Sequence, residues 1–83
     1  MGELSSLPNI SKVIEKKLND AEIFTEAQLI EHGSQDAFTR IWLKDRDACL
    51  NMLCAIEGAI QGIRWHNLSD EKKAELKEFY NKL

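Results

Sequence analysis

The stretch Asp47-Ala-Cys-Leu-Asn-Met-Leu-Cys-Ala-Ile-Glu-Gly-Ala-Ile-Gln-Gly62 decides the fold of this chain. Apolar residues recur along it at i, i+3, i+4 and i+7, which predicts a helix that is buried over most of its circumference. A second face carries small side chains, where another backbone could approach closely. The apolar stripe comprises Cys49, Met52, Leu53, Ile56, Ile60 and Ile63; the small face comprises Asn51, Ala55, Gly58 and Gly62. We therefore expect this segment to be the central helix of a small domain.

The flanking sequence predicts further short helices and no strand. Ser and Thr residues stand where helices should begin, and Thr25 with Gln28 forms a capping-box pattern. Gly33 is expected to end the second helix in a left-handed conformation. The predicted helix starts are Ser11, Thr25, Ser34, Asp47 and Ser69. Ile23 and Phe24, between the first two helices, are expected to plug the core. The sequence thus predicts an all-α fold, a compact bundle of about five short helices.

Length and charge limit the possible functions. A chain of 83 residues has room for one core, so we expect a loose N-terminal lead at residues 1–6 and one domain at residues 7–83. The formal net charge of −3 argues against a protein whose main task is to neutralise phosphates. No uninterrupted apolar run is long enough to span a membrane, so no membrane partner is expected.

The candidate reactive residues do not form a recognisable catalytic or metal site. Cys49 and Cys54 are five positions apart on one predicted helix, a separation of roughly 8–9 Å that exceeds disulfide reach. Both are expected to be buried thiols. His32 and His66 lack metal-ligand spacing, and a pairing of Cys54 with His66 has no supporting signature. The sequence therefore predicts neither an enzyme nor a cofactor.

Glu57, Gly58, Gly62 and Arg64 are predicted to have structural roles. Glu57 lies among apolar neighbours, where a charge must be paired, and Arg64 or Trp65 is the expected partner. Glycine inside a helix costs about 1 kcal/mol relative to alanine, so the two glycines suggest close packing. That packing is either an intrachain crossing or an interface with a second copy or another partner, and the intrachain crossing is preferred.

A basic strip on the first helix is a candidate nucleic-acid contact. It follows a turn that contains Pro8, and an alternative is that the strip is simply a solvated face. The candidate contact residues are Pro8, Asn9, Ser11, Lys12, Lys16 and Lys17. Aromatic residues are candidate anchors for a protein partner, because such side chains often dominate binding energy. These are Phe24, Trp42 and Trp65.

Three segments resemble the C-terminal domain of the TfoX/Sxy family of competence regulators. They begin with Leu7-Pro-Asn-Ile-Ser-Lys-Val-Ile-Glu-Lys-Lys-Leu-Asn-Asp-Ala-Glu-Ile-Phe-Thr25, which is similar to a helix-hairpin-helix pattern. The others are Gly33-Ser-Gln-Asp-Ala-Phe-Thr-Arg-Ile41 and Cys49-Leu-Asn-Met-Leu-Cys-Ala-Ile-Glu-Gly-Ala-Ile-Gln-Gly-Ile-Arg-Trp-His-Asn-Leu-Ser69, the last being the most distinctive. The resemblance implies a helix-hairpin-helix or SAM-like fold. It also implies a bacterial cytoplasmic role in regulating natural transformation genes, alongside a DNA-bound activator.

Two departures from the family pattern shape the functional hypotheses. TfoX-type proteins carry an N-terminal domain before this one, so we expect either a fragment or a stand-alone homologue with another regulatory role. DNA-binding helix-hairpin-helix turns place glycine where Asn9 and Ser11 stand, which weakens direct phosphate contact by backbone amides. The first hypothesis is therefore a non-enzymatic module that binds a protein of the transcription machinery or an activator. Weak, sequence-independent DNA binding is the alternative, and a homodimer is possible.

Overall fold

The computed structural model describes residues 3–83, which form four α-helices and two short 3-10 helices. The α-helices are α1 (Lys12–Asp20), α2 (Glu26–Lys44), α3 (Leu50–Gln61) and α4 (Asp70–Asn81). The 3-10 helices are Leu4–Ser6 and Trp65–Asn67. The all-α prediction is confirmed, but the count of about five helices is not.

Gly33 separates two helical stretches within α2, at the position where the sequence predicts a break. Gly33 interrupts α2 with φ 80° and ψ 160°, a combination that is almost confined to glycine. It therefore interrupts the helix with the predicted positive φ, but its ψ is not that of a left-handed cap. The Ser34 hydroxyl correspondingly bonds to Glu57 at 2.6 Å.

The interior position of α3 is confirmed, and its predicted start is wrong. It begins three residues later than expected because Asp47 and Ala48 lie in a turn, and Cys49 is its N-cap. Cys49 is consequently exposed rather than on the buried stripe. Gly62 ends the helix with φ 75°, as predicted. The buried residues of α3 are Leu53, Cys54, Ala55, Ile56, Gly58 and Ala59.

Helices α2 and α4 pack against α3, α1 packs against α2, and these three helices have the predicted caps. The hydroxyls of Ser11 and Ser69 accept backbone N–H bonds at the starts of α1 and α4, and Thr25 with Gln28 forms the capping box. The fully buried large side chains come from several elements, which makes one shared core. They are Phe38, Leu4, Leu18, Ile23, Leu29, Leu53, Ile56 and Leu76.

The burial of two apolar residues in the N-terminal third of the chain differs from the prediction. Phe24 is 54% exposed, so only Ile23 of the predicted pair enters the core. Leu4, predicted to belong to a loose lead, is fully buried within the first 3-10 helix. Met1 and Gly2 lie outside the described residues. None of the helices in residues 3–83 is long and apolar enough to cross a bilayer.

Candidate interaction groove

A groove of about 380 Å³ lies between the start of α1, the first half of α3 and the segment that follows α3. We call it the α1–α3 groove. It is lined by Asn9, Ile14, Cys49, Asn51, Met52, Ala55, Arg64 and Trp65. It therefore brings together residues from three stretches that the sequence analysis had considered separately: the Pro8–Ser11 turn, the small face of α3 and the Arg64-Trp65 pair.

Asn9 holds the three segments of the groove together. Its Nδ2 donates to the carbonyl of Ile63 at 2.9 Å and to that of Ala55 at 3.4 Å, while its Oδ1 accepts the Trp65 backbone N–H at 3.1 Å. Its φ of 69° is left-handed, a conformation that asparagine tolerates better than most residues. The side chain is thus used inside the molecule, although it was predicted as a possible nucleic-acid contact.

Gly58 makes this arrangement possible. A Cβ atom at this position would lie 2.6 Å from Asn9 Nδ2, 2.9 Å from the Ile63 carbonyl oxygen and 3.2 Å from Trp65 Cα. Gly58 is therefore packed closely within the chain, against the Asn9 side chain and the segment that leads into the second 3-10 helix, and not against another α-helix. The rest of the small face is divided, because Ala55 is buried whereas Asn51 and Gly62 are exposed.

The groove surface is mainly apolar with a charged edge. Ile14, Met52 and Trp65 are half-buried and pack on the core with part of each side chain uncovered. Arg64 and Cys49 are exposed. The contribution of Met52 was not identified from the sequence, because its position on the apolar stripe of α3 indicated a core residue.

The two cysteines have different environments. Cys54 is 5% exposed, and its burial raises the pKa of the thiol, which makes it a poor nucleophile. His66 is exposed and its ring stacks on that of Trp65, with the centroids 4.1 Å apart. Within residues 3–83, no group of three or more His, Cys, Asp or Glu side chains is arranged to hold a metal ion.

Glu57 has partners other than the predicted ones. Its carboxylate accepts bonds from the Ser34 hydroxyl and from the Gln61 amide, each at 2.6 Å, and neither Arg64 nor Trp65 is involved. The predicted Glu57–Arg64 pair is therefore wrong. The reason is that Gly62 turns the chain so that Arg64 faces solvent beside the groove, while the bend at Gly33 brings Ser34 against α3.

Two of the three lysines of the basic strip are paired with acids. Lys17 Nζ lies 2.6 Å from Asp45 Oδ2 and Lys16 Nζ lies 3.7 Å from Asp20 Oδ2. The hydrogen bond from Lys17, with a backbone bond from Asp47, lowers the pKa of Asp45. Lys12 is exposed in the first turn of α1, and the Ser11 hydroxyl is used in capping. These pairings reduce the positive charge that the strip offers to a phosphate.

The predicted aromatic anchors differ in accessibility. Phe24 is exposed and does not line the α1–α3 groove. The guanidinium of Arg46 lies 4.1 Å from the centroid of the half-buried Trp42 ring and covers one of its faces. Trp65 alone of the three lines the groove.

A comparison with known protein families identifies the family of this chain. The TfoX C-terminal domain family matches residues 1–80. This chain belongs to the TfoX C-terminal domain family. No curated protein matches the sequence significantly.

Solved structures similar to this TfoX C-terminal domain come from Listeria monocytogenes. An uncharacterized protein in a triclinic crystal form is 52% identical with a TM-score of 0.94, covering 95% of this chain and 90% of that chain. A protein of unknown function in a tetragonal form is 51% identical with a TM-score of 0.92, covering 94% and 96% respectively. These relatives support the fold and leave the function to be inferred from the groove.

Proposed function

We propose that this TfoX C-terminal domain is a non-enzymatic regulatory module that binds a protein partner through the α1–α3 groove. The partner would be a component of the transcription machinery or an activator, and the regulated genes those of competence and DNA transformation. Membership of the family supports the regulatory role. The observation that carries the proposal is the groove itself, where the uncovered parts of Met52 and Trp65 lie beside exposed Arg64.

Trp65 is the proposed anchor within this surface. Tryptophan contributes a large apolar area and is enriched among residues that dominate interface energies. Its backbone is fixed by the hydrogen bond to Asn9, so little conformational entropy remains to be lost on binding at this position. Phe24 and Trp42 are secondary candidates, since they lie outside the groove.

A pair of glutamate substitutions tests the proposal. Asn51→Glu places a negatively charged side chain at an exposed position in the groove, and Asn81→Glu makes the same change at the exposed end of α4. Both variants should retain the wild-type circular dichroism spectrum and melting temperature within a few degrees. Each variant gene replaces the wild-type copy in the host. The transformation frequency and the levels of DNA-uptake transcripts are then measured.

We expect Asn51→Glu to behave like a deletion and Asn81→Glu to behave like wild type. Full activity of a folded Asn51→Glu variant would contradict the groove as the interaction surface. If the deletion changes other transcripts and leaves the DNA-uptake genes unaltered, the domain is a stand-alone homologue with another regulatory role.

Direct DNA binding is the alternative, with Lys12 and Lys16 as the exposed cations of the strip. It would require affinity for duplex DNA that falls steeply with salt and is reduced by Lys12→Glu. Pairing of Lys16 with Asp20 and of Lys17 with Asp45 makes this the less favoured function. Measurable, salt-dependent binding at low ionic strength would reverse that order.

A further inference from the structure

We propose that the α1–α3 groove binds an acidic amphipathic peptide segment of the partner. An apolar side chain of that segment would pack on Met52 and Trp65, and a neighbouring carboxylate would pair with Arg64. This inference rests on the proposed function and adds the chemistry of the partner to it.

The charge of the groove differs in sign from that of the whole chain. The chain has 14 acidic and 11 basic residues, yet the only charged residue among those described as lining the groove is Arg64. Glu15, next to the groove residue Ile14, is held by the backbone N–H of Ser5 at 3.1 Å. A cationic edge in an acidic protein favours an anionic partner, and a guanidinium can bind a carboxylate through two parallel hydrogen bonds.

The shape and surface of the groove suit a short segment with apolar side chains. The groove has a volume of about 380 Å³ and is widely open to solvent, so it suits a segment laid across the surface better than an enclosed small molecule. Met52 has an unbranched, polarizable side chain that adapts to different apolar groups. The Trp65 ring adds a rigid apolar surface beside Met52. The groove would therefore accept different apolar side chains, while Arg64 would favour a carboxylate next to them.

The hydrogen-bonding groups of the groove argue against a phosphate backbone as the occupant. Nucleic-acid phosphates are bound mainly by cationic side chains and free backbone N–H groups. Here the Trp65 N–H and both donors of the Asn9 amide are used in intramolecular bonds. A peptide with apolar groups needs fewer donors than a phosphate backbone does.

The test is a titration of the ¹⁵N-labelled domain with three synthetic peptides of equal length. The first has leucine and glutamate at helical spacing, the second has lysine for glutamate, and the third has serine for leucine. Amide chemical shifts and the Trp65 indole N–H signal report where each peptide binds. We expect only the Leu/Glu peptide to shift groove signals in the wild-type domain.

Charge reversal separates specific pairing from a change in net charge. Arg64→Glu should weaken binding of the Leu/Glu peptide roughly five- to thirtyfold and allow the Leu/Lys peptide to bind. Lys77→Glu, on the exposed surface of α4, changes the net charge by the same amount and should leave both affinities within about twofold of wild type.

Three results would overturn the inference. The first is that the Leu/Glu and Leu/Lys peptides bind with equal affinity. The second is that Arg64→Glu and Lys77→Glu change the affinity for the Leu/Glu peptide equally. The third is that duplex DNA shifts the amide signals of the groove while the Leu/Glu peptide does not bind. Groove shifts that depend on protein concentration alone would instead assign the groove to a second copy of the chain. If the peptide fails to bind while Asn51→Glu abolishes regulation in the host, the partner chemistry is wrong and the proposed function stands.

Discussion

Removing the Asn9 side chain should be among the most damaging single changes outside the apolar core. Asn9→Ala deletes hydrogen bonds to Ile63, Ala55 and Trp65, at 2.9, 3.4 and 3.1 Å. Each bond contributes a net 0.5–1.5 kcal/mol, so their loss costs about 2–3 kcal/mol, with the longest bond at the low end. Alanine at a φ of 69° adds about 1 kcal/mol of backbone strain. The expected total is therefore about 3–4 kcal/mol.

That loss is large for a domain of this size. A chain of 83 residues is expected to have a free energy of unfolding of roughly 4–12 kcal/mol. At about 4–8 °C per kcal/mol, Asn9→Ala should lower the melting temperature by roughly 12–30 °C. Urea unfolding followed by circular dichroism at the helix band gives the free energy directly, and a thermal melt checks the order of the variants.

Two further substitutions divide the effect into its parts. Asn9→Gly removes the same bonds but tolerates the positive φ, so it should be about 1 kcal/mol more stable than Asn9→Ala. Asn51→Ala removes an exposed asparagine from the same groove and should change the free energy of unfolding by less than about 0.5 kcal/mol. A loss below about 0.5 kcal/mol for Asn9→Ala would refute the role assigned to this side chain.

Four other changes test the remaining contacts. Gly58→Ala should lower the free energy of unfolding by about 1–2 kcal/mol despite the better helix propensity of alanine, because the added Cβ would overlap neighbouring atoms. If the Asn9 side chain is the main obstacle, this cost should be smaller when Asn9→Gly is also present. Ser34→Ala removes the bond to the Glu57 carboxylate and should cost about 1–2 kcal/mol in urea unfolding, so an unchanged midpoint would argue against that bond. Arg64→Ala should change the free energy of unfolding by less than about 0.5 kcal/mol, since the residue is exposed. A larger loss would support an ion pair between Arg64 and Glu57, which the structure does not show. The pKa of Asp45 is lowered in the folded state, so its stabilising effect is present above its ordinary value of 3.8 and disappears as the pH falls through and below that value. The difference in melting temperature between wild type and Asp45→Asn should accordingly shrink between pH 6 and pH 2.5, and a difference that grows on acidification would show the sign to be wrong.

Local sequence signals predicted most of the secondary structure. The caps at Ser11, Thr25 and Ser69 depend on hydrogen bonds within three residues of the cap, so the sequence contains both partners. The left-handed end of α3 at Gly62 is likewise a local property of glycine. The apolar periodicity of α3 predicted its interior position, because an exposed helix has polar residues over more of its circumference.

The errors occurred where local signals left two outcomes open. Glycine can leave a helix in more than one conformation with positive φ, and Gly33 has a ψ of 160° instead of the left-handed cap geometry. Cys49 matched the spacing of the apolar stripe, but it precedes the first turn of α3 and projects where no neighbouring element covers it. Proximity and charge favour Arg64 as the partner of Glu57, whereas the structure pairs Glu57 with Gln61 on the same helix and with Ser34, which is 23 positions away.

The sequence by itself determined an all-α chain, its caps, its buried central helix and, through a long shared string of residues, its family. Only the tertiary structure decided that Asn9, Met52, Arg64 and Trp65 meet at one groove. Helix propensity, capping and periodicity act over a few residues and are readable in the chain. The groove depends on contacts across more than 40 positions, such as the bond from Asn9 to Ile63, and those distances are fixed only when the helices pack.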